Sequence, residues 1–212
     1  MSRRLISSLA TGALVLGAVA GFAPAASATS PAGTTSLAEV LLADGDQFDR
    51  NWYDYDIVTE AVLALLAAKP DSAVGVLTDG TVPLTAFIPN DRAFQVLVWD
   101  LTKRWVHTEA KVFEAVAGLG IDAVEQVLLY HVVPGATIDS ATALTSNGAK
   151  LTTAQGGTFT VSVLSKKSVI VRLKDQDRND LDPFLNRRAL DINVGNVQIA
   201  HGITLVLRPF DL

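Results

Sequence analysis

An α+β fold is predicted by three features of this sequence. Apolar residues recur at helical spacing up to residue 130, β-branched runs dominate after residue 135, and the two kinds of segment do not alternate regularly. Cysteine is absent from the 212 residues, which are 49% hydrophobic. A chain of this size without disulfides must be held by its own core, and it is long enough to bury one as a single domain.

Residues 1–28 have the form of an export signal. Arg3 and Arg4 precede an apolar stretch from Leu5 to Ala23, and Ala26-Ser27-Ala28 fits the small-residue cleavage pattern. Cleavage there removes two arginines and no acids, so the formal charge moves from −5 to −7. Residues 29–35 are small and polar and are expected to form a flexible leader, with the domain at 36–212. No later stretch is long enough to span a bilayer. The excess of acids, with no Lys/Arg run longer than a pair, argues against a nucleic-acid ligand.

Leu37, Val40 and Leu41 share one face of a first helix, which ends near Asp44-Gly45. The segment Gln47 to Tyr55 sets Trp52, Tyr53 and Tyr55 among acids; it can serve as a sugar-stacking platform or pack as a loop onto the domain. Asp56 is expected to cap an aliphatic helix that runs to about Ala68 and belongs in the core. Leu84 to Ile88 reads as a buried strand broken by Pro89, and Asn90 as the cap of a helix carrying Ala93, Phe94 and Leu97. An amphipathic continuation follows from Trp99 to His107, and Thr108 opens another helix. Asp122 and Glu125 have capping-box spacing ahead of Val124, Val127 and Leu128. That helix runs out at Tyr130-His131, and Val132-Val133-Pro134-Gly135 turns to extended chain.

Beyond this hub, residues 151–153, 158–164 and 169–174 form β-branched runs separated by Gly156-Gly157 and Ser165 to Ser168, the pattern of an antiparallel meander. Further strands are expected at 190–194, 197–200 and 203–207, with His201-Gly202 as a tight connection.

Three blocks in order resemble the fasciclin (FAS1) domain. Thr85 to Phe94 (TAFIPNDRAF) is similar to the first conserved box, Leu129 to Gly135 (LYHVVPG) to the Tyr-His motif, and His201 to Leu207 (HGITLVL) to the last box. The resemblance implies a single antiparallel wedge or sandwich of strands with several helices packed on one side. It also implies extracellular adhesion or protein contact without a common catalytic activity. Leu205 and Arg208 stand where the last box usually has a His and an acid. The segments 98–120 and 175–186 look longer than the family's pattern.

The chemistry available is narrow. His107, His131 and His201 show no HExxH spacing, and no GxSxG elbow offers a nucleophile, so no catalytic residue and no cofactor is expected. Asp175, Asp177, Asn179, Asp180 and Asp182 alternate as calcium ligands do. The loop lacks the glycine and glutamate of an EF-hand and has Arg178, Arg187 and Arg188 nearby, so it reads as a solvated acidic loop rather than a metal site. Tyr130, His131, Asn90 and Asp91 are the candidate binding residues, with His131 either an exposed contact or a buried group bonded to backbone or to Asn90-Asp91. The expected function is a secreted, non-enzymatic module that contacts an extracellular protein or cell-surface component. The alternative is an extracellular protein binding a small molecule or glycan in a groove near the Tyr-His motif or Trp52. If residues 1–28 are an export signal, mass-spectrometric sequencing of the exported protein will find Thr29 at the N-terminus; an intact Met1 would refute this.

Overall fold

Why each helix starts where it does explains much of the architecture. The computed structural model describes residues 32–45 and 47–211, and the expected export signal lies outside the described residues. Helix α1 (Leu37–Asp44) opens on a complete capping box, with Ser36 Oγ accepting from the Glu39 N–H and the Glu39 carboxylate accepting from the Ser36 N–H. Helix α3 (Asp91–Thr102) is capped by Asn90, as its position predicts.

Two predicted caps are replaced. Asp56 is the first residue of α2 (Asp56–Ala68) and does not cap it. The Asp91 carboxylate caps that helix from outside, accepting from the Ile57 N–H at 2.9 Å. Helix α5 (Ile121–Tyr130) starts after Gly120 at φ +91°, without the predicted capping box. Asp122 and Glu125 are drawn instead to Lys69 at the end of α2, which pairs with both; its distance to Glu125 is 2.7 Å. A cation one helix away competes successfully for carboxylates that sequence spacing assigns to the backbone.

Strand β1 (Leu84–Pro89) is the middle of a sheet whose order is β2 (Val132–Pro134), β1, β6 (Gln198–Ile203). β2 is antiparallel to β1, whereas β6 is parallel to it from Leu84↔Gln198 to Pro89↔Ile203. The α+β class and the antiparallel pairing are borne out, with the parallel β1–β6 pair making this sheet mixed; the second sheet is an antiparallel meander, β3 (Lys150–Thr152), β4 (Thr158–Ser165) and β5 (Ile170–Lys174). The end of the chain is corrected. Residues 190–194 make only a bridge at Ile192↔Ala200, the strand stops at Ile203, and His201-Gly202 lies inside β6.

The side chains of β1 alternate between two cores, as a pleated strand requires. Leu84, Ala86 and Ile88 face the helices, among them Ile57, Leu65, Phe94 and Val112. Phe87 faces the meander, packing against Phe159 edge-on at 5.1 Å, with Val161, Val171 and Leu173 in the same cluster. Residues 183–186 stitch the sheets together. Leu173 N–H donates to Pro183 O and Leu185 N–H to Val171 O on one side; Asn186 N–H donates to Gly202 O and Thr204 N–H to Phe184 O on the other. The described part of the expected leader is paired rather than free, since Gly33 bonds Gly195 and Val197 and Thr35 bonds Asn193 and Asn196.

Gly202 is explained by close approach. A Cβ built there would lie 2.5 Å from the Tyr55 hydroxyl and 2.7 Å from Ala189 Cβ. Gly202→Ala should therefore destabilise by about 1–3 kcal/mol through overpacking. Gly75→Ala, whose Cβ meets only Leu66 at 3.8 Å, should shift stability much less. Chemical denaturation of both variants decides this, and equal effects would contradict it.

Candidate functional site

The Tyr130-His131 pair sits where α5 ends, and the last carbonyls of a helix have no partners within it. Remote segments satisfy them here. Gln155 N–H donates to Leu129 O, Phe87 N–H to His131 O and Ala154 N–H to Val132 O. The His131 ring takes the Val127 carbonyl at 2.7 Å through Nδ1, and its Nε2 accepts from the Leu207 N–H at 2.9 Å. That pattern fixes one neutral tautomer, a donor at Nδ1 and an acceptor at Nε2. Burial holds the imidazole down to about 4, against 6.5 in water, although the bond to Val127 opposes the shift. Tyr130 is buried against Phe159, and its hydroxyl donates to Thr158 O at 2.8 Å. Both side chains face the interior with their polar tips occupied. The expected link from the His131 ring to Asn90-Asp91 is not made.

Asn90 and Asp91 lie at the other end of β1. Asn90 caps α3; Asp91 caps α2 and donates its own N–H to Asp54 O. Burial pushes the Asp91 carboxyl up to about 9, with Asp54 beside it adding to the rise. Asn90 also borders an open groove of about 700 Å³, lined by Tyr53, Tyr55, Arg92, Arg187 and Arg188 among others. Of the four aromatics in the 47–55 segment, Phe48, Trp52 and Tyr55 pack on the helical core and Tyr53 is exposed. Arg92, Arg187 and Arg188 line this groove together with Asp44 and Asp54. His201 contributes no open valence, because its Nε2 bonds Ile138 O and its Nδ1 accepts from the Asp191 N–H.

A second surface forms where the two long segments of the sequence, 98–120 and 175–186, meet. Trp99 and Trp105 stack at 5.6 Å with 23° between their planes; Arg92 lies over the Trp105 ring at 5.0 Å and Lys103 over the Trp99 ring at 5.5 Å. Trp99 shares a small apolar hollow with Leu181. The three side chains remain 38%, 45% and 83% exposed for Trp99, Trp105 and Leu181. Arg208 fastens the two segments. Its guanidinium pairs with Asp100 at 2.9 Å, with Asp177 at 3.6 Å and with Asp180, while its N–H donates to Asp175. The acidic loop is thus more than solvated: Arg208 pairs with Asp177 and Asp180, and Arg172 with Asp182. No local spacing rule pairs a C-terminal arginine with Asp100 and Asp177, so the sequence offered no sign of this surface beyond the unusual length of its two parts.

The sequence profile of the fasciclin domain matches residues 59–181. A solved FAS1 domain pair from the insect cell adhesion molecule fasciclin I is similar in fold, with a TM-score of 0.54 at 15% identity. The match covers 82% of this chain and 51% of that one, so the chain spans about half of its length. No curated protein sequence matches.

Removing the His131 ring should leave the Leu207 N–H and the Val127 carbonyl unsatisfied in the interior. His131→Ala should cost about 1–3 kcal/mol for the unpaired groups plus a cavity term. Between pH 6.5 and 4 the unfolded imidazole takes up a proton that the folded one refuses. The stability this neutral ring contributes is complete above pH 6.5 and is lost as the pH falls toward 4, at up to about 1.4 kcal/mol per unit. Thermal unfolding at pH 7 and 4.5 should show a flatter acid response for His131→Ala than for wild type, while exposed His107→Ala changes neither value. An unaltered acid response in His131→Ala would refute the assignment.

Proposed function

Because this chain belongs to the fasciclin domain family, we propose that it acts as an exported, non-enzymatic interaction module that presents Trp99, Trp105 and Leu181 to an extracellular protein or cell-surface component. The observation that carries this reading is the exposed, stacked tryptophan pair held beside Leu181 by the Arg208 network. Tryptophan and arginine are the residues that dominate binding energy at protein interfaces, and contiguous exposed apolar groups mark contact sites. Among the described residues no helix is long and apolar enough to cross a membrane, which is compatible with release. The non-enzymatic part rests on the two buried histidines, whose ring nitrogens are already bonded to backbone.

A second reading draws on the groove beside Asn90, where exposed Tyr53, three arginines and two aspartates suit the stacking and hydrogen bonding of a glycan. It lies at Tyr53 and Tyr55, not at Tyr130 and His131.

Beads coated with the purified protein provide the test. Their adhesion to cells or to each other should fall about tenfold or more for Trp99→Ala combined with Trp105→Ala, with little change in melting temperature. Tyr53→Ala with Arg187→Ala should leave adhesion intact. Loss of adhesion only in the second pair moves the contact to the groove and refutes the tryptophan surface.

A further inference from the structure

Three helices of this domain begin at one place, and each begins with an acid. Asp56 is the first residue of α2, Asp91 of α3 and Glu109 of α4 (Glu109–Ala117). The loop between α1 and α2 brings Asp49 and Asp54 to the same point, where the Asp49 N–H donates to the Glu109 carboxylate and the Asp54 carbonyl accepts from the Asp91 N–H. Carboxylate oxygens of Asp54, Asp91 and Glu109 all lie within 4.8 Å of one another, as do those of Asp49, Asp54 and Asp56. Asp54 belongs to both groups, so five carboxylates form one continuous cluster.

The cluster has buried oxygens without partners. Asp91 and Glu109 are 0% and 1% exposed. One oxygen of each is used, by the Ile57 and Asp49 N–H groups. Asp91 Oδ2, Glu109 Oε1 and Asp54 Oδ1 are buried and accept no hydrogen bond from any described residue. None of the five acids is in an ion pair with a Lys, Arg or His among the described residues, in contrast to Asp100, Asp177 and Asp180, which share Arg208.

Helix dipoles compensate only part of this charge. Three N-termini supply roughly +0.5 each, about +1.5 in all, against five formal negative charges. A shared proton between Asp54 and Asp91 would remove one more. Several negative charges still face one another, in a place where an uncompensated carboxylate is costly. Oxygen donors alone, with no imidazole or thiolate, suit a hard cation rather than zinc. A set drawn partly from an irregular loop suits the larger and geometrically tolerant ion. Exposed Asp49 and half-buried Asp54 give the site an opening to solvent.

We propose that Asp54, Asp91 and Glu109, with Asp49 and Asp56 beside them, form a calcium site that fastens the loop of residues 47–55 to the N-termini of α2, α3 and α4. Sequence spacing shows little of it, because only Asp54 and Asp56 alternate as calcium ligands do and the set as a whole is spread over 60 residues. The acidic run at 175–182, which alternates as ligands do, pairs with Arg208 instead.

The test is a calcium titration of the purified protein, read by thermal unfolding and by isothermal calorimetry. Weak extracellular sites have dissociation constants of about 0.1–1 mM, so about 10 mM calcium should raise the melting temperature by a few degrees and magnesium by less. Asp54→Asn and Glu109→Gln should abolish both the shift and the binding heat, and Asp177→Asn should retain them. Asp54→Asn is half-buried and keeps a similar shape, so circular dichroism can verify that it folds if Glu109→Gln does not. Absence of a shift and of binding heat in the folded wild type would overturn the proposal. So would a calcium response that survives Asp54→Asn. If Asp91→Asn and Asp54→Asn raise stability while calcium does nothing, the cluster is a proton-sharing group under three helix dipoles, and the calcium site is refuted.

Discussion

A buried imidazole can remain neutral only if one nitrogen finds an acceptor and the other a donor, and much of this fold depends on that condition being met at His131. The donor side closes on Val127, four residues back, and ties the ring to its own helix. The acceptor side closes on Leu207, 76 residues away, and ties that helix to the chain beyond β6. The backbone around the ring adds the links to β1 and to residues 154–155. Tyr130 adds Thr158 at the start of β4. A helix that ended in a glycine cap would satisfy its own carbonyls and hold nothing else. This one leaves its last carbonyls to other elements, so that ending the helix and assembling the two sheets are one event.

The acids of this protein are managed in two ways, and the difference is where counter-charge comes from. Around Arg208 the cation is a side chain, and Asp100, Asp177 and Asp180 converge on it. The cost of burying such charges is recovered only when the geometry is close and the remaining polar atoms are bonded. Around Asp91 the compensation comes from helix termini and from backbone N–H groups such as that of Ile57. Burial accordingly raises Asp56 to about 6 and Asp91 to about 9, and neighbouring acids push in the same direction. The Asp91 carboxyl thus caps one helix, begins another and receives no help from a basic side chain.

The sequence makes plain what depends on neighbours in the chain. Periodicity placed α1, α2 and α5, Asn90 as a cap is a local pattern, and the β-branched runs of the meander are separated by turn residues that fix their order. What stayed hidden depends on distant partners. β6 pairs with β1 across more than a hundred residues, and its parallel register leaves no local trace. His201-Gly202 resembles a turn by composition, yet Gly202 sits in a strand because Tyr55 and Ala189 crowd it. Asp122 and Glu125 have the spacing of a cap, and Lys69 takes them. Buried Gln198 bonds Leu37, Val76 and Asp79, three contacts that no window of sequence contains. Of the candidate binding residues, Tyr130 and His131 stand where α5 ends, and both are buried. Their role as interior fasteners followed only once their partners were known.

These constraints also bear on where a binding surface can arise. Residues whose polar atoms are all committed, such as His131 and His201, cannot turn outward without leaving several backbone groups unpaired, each at about 1–3 kcal/mol. Against a net stability of about 5–15 kcal/mol, two such losses would threaten the fold. Recognition is therefore easiest to build on segments that the two cores do not need. Trp99, Trp105 and Leu181 meet that condition, because their side chains lie outside both clusters of buried apolar residues while Arg208 ties the neighbouring Asp100 and Asp180 together. A surface of this kind combines a rigid mount with side chains free to be replaced, which lets contact specificity change without disturbing the junction at the end of α5.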